Sequence, residues 1–472
     1  MKNVKRTMAL FSAIAMMGAL SGCGASGNDN AVTTPAETTT ASTAPKELDE
    51  EDKAAVAEVD IGEDEKLENG TVKWLSTYDI NPDKGKPKLF ALELFETQYG
   101  GKIEWIPTTW ENRYNDLSTQ VLGGVSPDLF PAQEFDTFPS KVIDGMFEPF
   151  DDYLDFDSEL WPAGAKKLAE AHVLGGKHYV APVNTDSKCL MIYNQRTIEE
   201  NGLDDPAELL EQDNWTWDTF RQMCLDYCDR EEDKFAYDSW YFETQFLLTT
   251  GVAPISMENG LVKNNIGSAE IERAENFMYN LKKDDLPLPK AEFNWTEQPQ
   301  RISEGKTLFW PCATWALWEA DLSKFGTPEE IRFVPMPRDP EADEYYLPAN
   351  MDAYALCKGA SNPEGAAAFI KCKLIAENDE NSIAITEKQY REDYGWTDEM
   401  FEMWYKVREL TDANPVVSIH TGLPTDVSAV VDDSIKQASF NGTDWGTTKA
   451  SILELTQVTV DELNEKIQAD FS

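Results

Sequence analysis

Histidine and positive charge are both scarce in this chain. Its 472 residues include 3 histidines, and 41 Lys and Arg stand against 86 Asp and Glu, which gives a formal net charge of −45. The histidines (His172, His178 and His420) show no metal-ligand spacing and no CxxC pair occurs, so we predict no metal site. So acidic a protein lacks the positive surface that nucleic-acid phosphates require, which excludes nucleic acid as a partner.

Short catalytic motifs are also missing. The sequence has no GxSxG, HExxH or Walker A phrase, and we therefore predict neither a cofactor nor an enzymatic activity. A glycoside hydrolase remains an alternative, because it needs only two suitably placed carboxylates. With 86 Asp and Glu to choose from, any such pair could be nominated, so the sequence gives no signal for it.

Cysteine is sparse, with 7 residues in the whole chain. Cys224 and Cys228 are one helical turn apart, which usually holds the two β-carbons too far apart for a disulfide. We expect free thiols at the six positions beyond Cys23, which are Cys189, Cys224, Cys228, Cys312, Cys357 and Cys372.

The longest N-terminal apolar run, residues 8–20, is too short to span a bilayer. It follows three basic residues, a pattern that predicts a secretory signal peptide over residues 1–22. The next phrase, Leu-Ser-Gly-Cys, resembles the lipobox of bacterial lipoproteins, which implies acylation of Cys23. We expect export and anchoring by lipid to the outer face of the cell membrane, at the cell surface or in the periplasm if the host has an outer membrane.

Residues 23–70 contain no apolar period. They are rich in Ser, Thr, Ala and Pro and then strongly acidic, a composition typical of a disordered tether. Beyond them, three predicted strands at 71–77, 102–107 and 127–131 alternate with helices. This alternation favours an α/β fold with a parallel sheet.

Two short predicted strands around residues 179–182 and 189–193 are joined by a polar bend at 184–188 rather than by a tight turn. Such a path suits a chain that crosses from one lobe to another. A return crossing is predicted at 345–356, with Asn350 to Asp352 at its bend, and a third crossing is predicted near 416–422.

Several phrases in this region carry a family resemblance. The order GKxYxxPxNTD from Gly176, then Tyr193-Asn194, then WTWDTF from Trp215 resembles the extracellular solute-binding proteins of bacterial ABC importers, in the branch that includes maltodextrin- and oligosaccharide-binding proteins. The resemblance runs from about Thr71 to the C-terminus. It implies a two-lobed periplasmic-binding-protein-like fold (type II), each lobe a mainly parallel sheet flanked by helices, with multiple hinge crossings.

The resemblance also implies a division of the chain. The expected segments are a signal peptide (1–22), a tether (23–70), the first part of lobe 1 (71–185), lobe 2 (186–348), a return to lobe 1 (349–415) and a C-terminal helical segment of lobe 2 (416–472).

By the same resemblance, the ligand is a carbohydrate, most simply an oligosaccharide, held in the cleft between lobes and passed to a pair of ABC permease subunits by a monomeric receptor. Relatives place a Trp after a strand and a small-residue turn, where it stacks on a sugar ring, and this implies Trp315. Flat aromatic faces suit the apolar faces of a pyranose, and polar side chains suit its hydroxyls. The other candidates are Trp240, Tyr241 and Trp110 for stacking, and Asp79, Glu134, Asn184, Asp186, Lys188, Asn350 and Asp352 for the hydroxyls.

Each candidate has a structural alternative, as a core aromatic or as a loop or hinge polar residue. Trp215 and Trp217 are expected to be packing residues. Two other functions also stay open: a receptor for a polyamine or peptide, and a surface protein that holds polysaccharide without delivering it.

Overall fold

The computed structural model describes residues 47–61, 66–82, 88–318 and 321–471. The predicted signal peptide and Cys23 lie outside the described residues. Within the described part of the chain, no helix is both long and apolar enough to cross a membrane.

The strands organise two larger sheets and a smaller sheet between them. In chain order they are β1 Thr71–Ser76, β2 Lys102–Pro107, β3 Leu129–Pro131, β4 Phe147–Glu148, β5 Val173–Leu174, β6 Lys177–His178, β7 Ala181–Pro182, β8 Asp186–Ser187, β9 Leu190–Asn194, β10 Phe235–Tyr237, β11 Ile255–Glu258, β12 Leu261–Asn264, β13 Thr307–Cys312, β14 Ile331–Pro335, β15 Leu347–Asn350, β16 Ala353–Cys357 and β17 Pro415–Val416.

Helices cover the faces of these sheets. They are α1 Glu50–Glu58, α2 Phe90–Tyr99, α3 Arg113–Leu122, α4 Ser140–Ile143, α5 Ala163–Glu170, α6 Gln195–Asn201, α7 Pro206–Glu211, α8 Trp217–Tyr227, α9 Phe242–Phe246, α10 Ala269–Lys283, α11 Pro363–Asn378, α12 Glu380–Tyr394, α13 Asp398–Ala413, α14 Thr425–Ile435, α15 Gln437–Asn441 and α16 Trp445–Asp470.

The first lobe is built on the sheet β2-β1-β3-β16-β4, in which β7 also pairs with β16. β1 runs parallel to β2 and β3, whereas β16 runs antiparallel to β3, β4 and β7. The second lobe is built on the sheet β10-β13-β9-β14. There β10 is parallel to β13, and β9 is antiparallel to both β13 and β14.

The expectation of mainly parallel sheets is therefore wrong in detail, although the first strands are parallel as predicted. The reason is the path of the chain. β16 enters the first sheet from the return crossing, and β9 enters the second sheet directly from the outward crossing. Neither strand is delivered by a strand–helix–strand unit, which is the connection that favours parallel pairing.

Three short segments of the chain meet in one small sheet, which we call the hinge sheet. β15 pairs antiparallel with β8, through Ala349 with Ser187 and Asn350 with Asp186, and parallel with β17. The two crossings expected at residues 184–188 and 345–356 lie here. The third crossing, expected near 416–422, stays a prediction; β17 at its start pairs with β15 of this sheet.

The tether expected over residues 23–70 is wrong for residues 50–58, which form α1. Asp49 begins this helix by accepting hydrogen bonds from the backbone N–H groups of Glu51 and Asp52, at 3.1 and 2.9 Å. Leu48 and Val56 are buried in the core of the first lobe. These two apolar side chains in an acidic stretch supply the burial that orders the segment.

The return segment expected over residues 349–415 also ends earlier than predicted. α11 packs on α2 of the first lobe, but Trp396, Phe401 and Trp404 share a core with Leu190 and Phe333 of the second sheet. The chain therefore leaves the first lobe before α13. A helical pattern shows that a face is apolar but does not show which sheet covers it.

Trp215 and Trp217 are packing residues, as predicted. Both are buried, and their indole N–H groups donate to the Pro335 carbonyl at 2.8 Å and to the Thr249 hydroxyl at 3.0 Å. Thr216 between them begins α8 by accepting from the Thr219 backbone N–H at 3.4 Å. The six cysteines of the described residues are not joined in disulfides, as expected.

Asn362 fastens α11 to the first sheet. Its side chain accepts from the Gly365 backbone N–H at 3.0 Å and donates to the Asn69 and Thr71 carbonyls, both at 2.8 Å. Its own backbone N–H donates to the buried carboxylate of Asp128 at 2.9 Å. One buried side chain thus begins a helix and satisfies two carbonyls beside β1.

Replacing Asn362 with Ala should lower the free energy of unfolding by about 2 kcal/mol, because a helix cap is lost and two carbonyls beside β1 lose their donor. Urea denaturation measures this. Asn381→Ala, at an exposed position of α12, is the matched control and should change the free energy by less than about 0.5 kcal/mol. Equal effects of the two substitutions would contradict this account.

His172 supports the loop that follows β3. It is fully buried, its Nδ1 lies 2.6 Å from the Leu168 carbonyl, and its ring stacks on Phe135 at 6.0 Å between centroids. Burial lowers the pKa of His172 to about 4 from its usual 6.5. The folded protein therefore holds this imidazole neutral at pH values where the unfolded chain protonates it.

The stability that depends on His172 should be complete above pH 6.5 and should decline as the pH falls towards 4, by up to about 3 kcal/mol. His172→Leu should remove this part of the pH dependence. Urea denaturation of both proteins at a series of pH values between 4 and 8 measures the difference. Parallel curves for parent and variant would refute the assignment.

Candidate functional site

Two aromatic side chains of the second lobe form one wall of the site. Trp315 lies in the short 3-10 helix Thr314–Leu317 directly after β13, and Tyr241 lies just before α9. Both are half-buried and pack against the same core, which contains Trp310 and Phe333. The resemblance led us to expect a Trp at a helix start, and the structure places it in a single tight turn.

The negative charge of a first-lobe carboxylate, Glu134, acts on this wall. Burial raises the pKa of Tyr241, and the negative charge of Glu134 acts in the same direction, whereas the Trp315 side chain opposes it. Glu134 follows β3 in the first sheet. The two lobes therefore bring an acidic side chain and two aromatic rings to one place.

Lys188 connects the first lobe to the hinge sheet. Its Nζ lies 3.6 Å from Glu134 Oε2, 3.3 Å from Asn350 Oδ1 and 5.8 Å from the centre of the Phe135 ring. Lys188, Glu134 and Asn350 are each partly exposed. They keep donor and acceptor capacity that a ligand hydroxyl can use.

Asp186 ties the hinge sheet to the aromatic wall. Its Oδ2 accepts from the Thr314 hydroxyl at 2.8 Å, and its Oδ1 accepts from the Ser187 backbone N–H at 2.8 Å. Burial raises the pKa of Asp186, and the positive charge of Arg408 opposes that rise. Since Thr314 immediately precedes Trp315, any shift of β8 acts directly on the turn that carries the indole.

Asn184 and Asp352 are committed to the hinge. Asn184 Oδ1 accepts from the Asp352 backbone N–H at 2.9 Å, and its Nδ2 donates to Glu377 at 3.1 Å. Glu377 in turn accepts from Arg408 at 2.9 Å, and Asp352 pairs with Lys373 at 2.8 Å. The side chains of Asn184 and Asp352 thus have partners within the protein.

Asp79 and the residue before it, just beyond the end of β1, have different surroundings. Asp79 is exposed, and its carboxylate accepts from the backbone and the side chain of Asn81 at 2.9 and 2.8 Å. The preceding Tyr78 instead packs against the core of the first lobe, and its hydroxyl accepts from Gln133 at 3.1 Å. Burial raises the pKa of Tyr78, and the charge of Asp352 adds to this. Its position at a strand end was the available signal.

Trp110 and Trp240 have other neighbours. The Arg113 guanidinium lies 3.5 Å from the centre of the Trp110 ring and also pairs with Asp136. Trp240 stacks on Trp295 at 6.4 Å between ring centroids. The contacts of Trp110 and Trp240 therefore differ from those of the Trp315–Tyr241 wall, and their role as ligand contacts stays a prediction.

A groove of about 700 Å³ lies beside β17, between α5 of the first lobe and the β11–β12 hairpin of the second. Tyr346 is the one aromatic residue in its lining, among the residues that the structure describes. The groove lacks the flat aromatic wall of the Trp315 region. Nor does the described part of the chain contain a group of three or more His, Cys, Asp or Glu able to hold a metal ion.

Comparison with solved structures identifies relatives of this architecture. A cyclo/maltodextrin-binding protein in complex with maltotetraose has a TM-score of 0.58 at 15% identity and covers 84% of this chain and 98% of its own. The galacto-N-biose/lacto-N-biose I-binding protein of Bifidobacterium longum, with lacto-N-biose, has a TM-score of 0.60 at 12% identity, with 85% and 98% covered.

A third relative is an ABC substrate-binding protein of Listeria monocytogenes in complex with cycloalternan, with a TM-score of 0.57 at 15% identity over 84% of this chain and 98% of its own. At these identities the likeness shows the fold, and it confirms the two-lobed, periplasmic-binding-protein-like expectation. No curated protein sequence matches the chain.

The model of one family matches residues 80–373, which is more than half of the chain. This region begins just after β1 and contains the other strands of the first sheet, the outward crossing, the second sheet and the return crossing. The chain belongs to the bacterial extracellular solute-binding proteins.

Proposed function

We propose that this protein is the extracellular receptor of an ABC importer and captures a carbohydrate, most simply an oligosaccharide, between its two lobes. The observation that carries the proposal is the Trp315–Tyr241 wall of one lobe, on which the charge of Glu134 from the other lobe acts. An indole face takes the apolar face of a pyranose, and a carboxylate and an ammonium group satisfy its hydroxyls. The relatives bound to maltotetraose, lacto-N-biose and cycloalternan support the choice of ligand.

The residues proposed to contact the sugar fall into two groups. Trp315 and Tyr241 stack, and Glu134, Lys188 and Asn350 exchange hydrogen bonds with hydroxyls. Asp186, Asn184 and Asp352 hold the hinge in position and so act on the ligand through other residues. Asp79, Trp110 and Trp240 complete the proposed set with weaker support, since their contacts lie among neighbouring protein side chains.

The hinge sheet provides the means of closure. Its strands are short, so small changes in the backbone angles of a few residues can turn one lobe against the other. The binding function requires no reaction at the site, and we propose that the protein is not an enzyme. Binding would sequester the sugar until the permease subunits release it.

Anchoring belongs to the same proposal. The family is extracellular, and acylation of Cys23 would hold the receptor at the outer face of the membrane next to its permease. A single acyl chain gives only marginal membrane binding, so stable anchoring requires more than one. We propose that the receptor acts as a monomer.

Trp315→Ala should weaken oligosaccharide binding by at least about tenfold, or about 1.4 kcal/mol, because the stacking face is lost. A thermal-shift screen of oligosaccharides, malto-oligosaccharides among them, with polyamines alongside, first identifies the ligand, and calorimetry then measures the dissociation constant. Trp315→Phe keeps a flat ring and should lose less. Unchanged affinity in the Ala variant, with its folding intact, would overturn this site, and a shift with polyamines alone would replace the ligand class.

Ligand saturation should also make the molecule more compact. Small-angle X-ray scattering should show a smaller radius of gyration with the sugar that gives the largest thermal shift than with a sugar that gives none. The physical reason is rotation about the hinge sheet, which closes the cleft. An identical radius in both samples would argue against closure on the ligand.

A further inference from the structure

An exposed tryptophan lies outside the Trp315–Tyr241 wall, in the loop 289–298 of the second lobe. The side chain of Trp295 is 52% exposed, which makes it the most exposed of the tryptophans that the structure describes. A single exposed apolar side chain is ordinary on a protein surface. The backbone and the neighbours of Trp295 are what set this one apart.

The backbone at Trp295 is strained. Asn294 and Trp295 are two successive residues in the left-handed region, with φ of 53° and 58°. In the described part of the chain, five of the seven non-glycine residues with such a φ are Asp or Asn, which tolerate it, and two are aromatic, Phe135 and Trp295. The ring of Phe135 is buried against His172, but that of Trp295 is half exposed. Burial therefore offsets little of the strain at Trp295, and strained backbone of this kind clusters at ligand sites.

Two further aromatic rings support the indole of Trp295. Its ring centroid lies 6.4 Å from that of Trp240, with 21° between the planes, and 6.3 Å from that of Phe440. Trp240 and Phe440 are in turn 5.3 Å apart. The Lys290 ammonium lies 4.4 Å from the centre of the Trp240 ring, so cation–π attraction helps to hold that ring in place. We call Trp240, Trp295 and Phe440 the outer aromatic cluster.

Hydrogen bonds fix the loop that carries Trp295. The Trp295 backbone N–H donates to the Lys290 carbonyl at 2.8 Å, and the Gln298 backbone N–H donates to the Asp238 carboxylate at 2.6 Å. Asp238 and Lys290 are both buried and pair with each other at 2.8 Å. Since the loop is already held in one conformation, a ligand that covers the indole orders little additional backbone.

The outer aromatic cluster and the wall lie at the same edge of the second sheet. β10 and β13 are parallel neighbours, Trp240 follows β10, and Trp315 follows β13. The carboxyl ends of adjacent parallel strands are where α/β sheets place ligand contacts. Glu297 lies beside both surfaces. Its carboxylate accepts from the Trp240 backbone N–H at 2.8 Å, and its charge adds to the rise that burial causes in the pKa of Tyr241.

We propose that Trp295 is a second stacking surface for the carbohydrate, next to the Trp315–Tyr241 wall, and that the ligand is a linear oligosaccharide long enough to cover both. This inference rests on the proposed function. Trp240 and Phe440 position the indole, and Trp295 contacts the sugar. Among the described residues, the ring contacts of Trp295 are with Trp240 and Phe440 and not with the wall. One pyranose stacked on the wall therefore leaves Trp295 uncovered, and a longer chain reaches it.

The test measures affinity as a function of chain length. The exported chain is titrated by calorimetry with malto-, cello- and xylo-oligosaccharides, from the disaccharide to the hexasaccharide. Trp295→Ala should weaken binding of the hexasaccharide by at least about tenfold and change that of the shortest bound member by less than about twofold, because the short chain does not reach the second surface. Trp295→Phe keeps a flat ring and should lose less. An equal loss at every length, no loss at any length, or a parent that binds the hexasaccharide no more tightly than the disaccharide would overturn the proposal.

A control variant and a second measurement separate contact from a structural role. Tyr153→Ala removes an aromatic side chain that is 38% exposed in the first lobe, and it should leave the affinity unchanged at every length. Acrylamide quenches the emission of exposed indoles. The hexasaccharide should protect the parent from quenching more than it protects Trp295→Phe, and the shortest bound member should protect the two equally. Equal protection of parent and variant by the hexasaccharide would contradict contact at Trp295.

The two proposals fail separately. Trp315→Ala should weaken binding of every chain length, because each stacks on the wall. If no oligosaccharide of the panel binds the parent, the proposed function fails and the second surface fails with it. If Trp315→Ala loses affinity and Trp295→Ala does not, the interlobe site stands and the second surface is refuted. A lowered melting temperature of Trp295→Ala with an equal loss at every length would show a structural role for Trp295 and would also refute it.

Discussion

The pairing of β15 with β8 on one side and β17 on the other is the constraint on which the rest of the structure depends. These strands contribute few residues, yet the outward and return crossings both run through them. Around them Asn184, Glu377 and Arg408 form a half-buried chain of hydrogen bonds. Buried charges are tolerated only when they are paired, so this network favours one arrangement of the crossing backbone. The lobes can rotate about it but remain attached at one edge.

This constraint explains why the two lobes contribute different groups to the proposed site. The second lobe supplies the aromatic face, because the turn after β13 and the start of α9 converge on one core. The first lobe supplies Glu134 from the loop that His172 supports. Asp186 connects the two through Thr314. Asn184, Asp186 and Asp352 are held by partners within the protein, whereas Glu134, Lys188 and Asn350 keep hydrogen-bonding capacity.

The acidic character of the chain has two physical forms. Most carboxylates lie on the surface, where water solvates them and they act on solubility. A few in the second lobe are buried around Lys290, where burial favours the neutral acid and raises the pKa. A net charge of −45 does not distinguish the two forms. Only burial does, and burial depends on which helices pack on which sheet.

For the proposed site, the sequence pointed to the Trp315–Tyr241 wall and to the loop after β3. It did not show what each polar side chain does. Glu134, Lys188 and Trp315 were predicted from strand ends and from the resemblance, and the structure brings them to the same region. Asp79 and Tyr78 are neighbours in sequence, but Asp79 is exposed and Tyr78 packs against the core. The side chains of a strand alternate between its two faces, and where the strand ends the local turn sets their direction. Arg408 had no sequence signal, since its partners lie on segments distant along the chain.

Local periodicity and the order of short phrases were enough to predict the α/β character, the strands of the first lobe, the two main crossings and the family. The antiparallel entry of β9 and β16, the ordering of α1, the attachment of α13 to the second sheet and the outer aromatic cluster at Trp295 were decided by tertiary structure alone. Each of these features depends on contacts between residues far apart in the chain. A local sequence pattern does not reveal the free energy of such contacts.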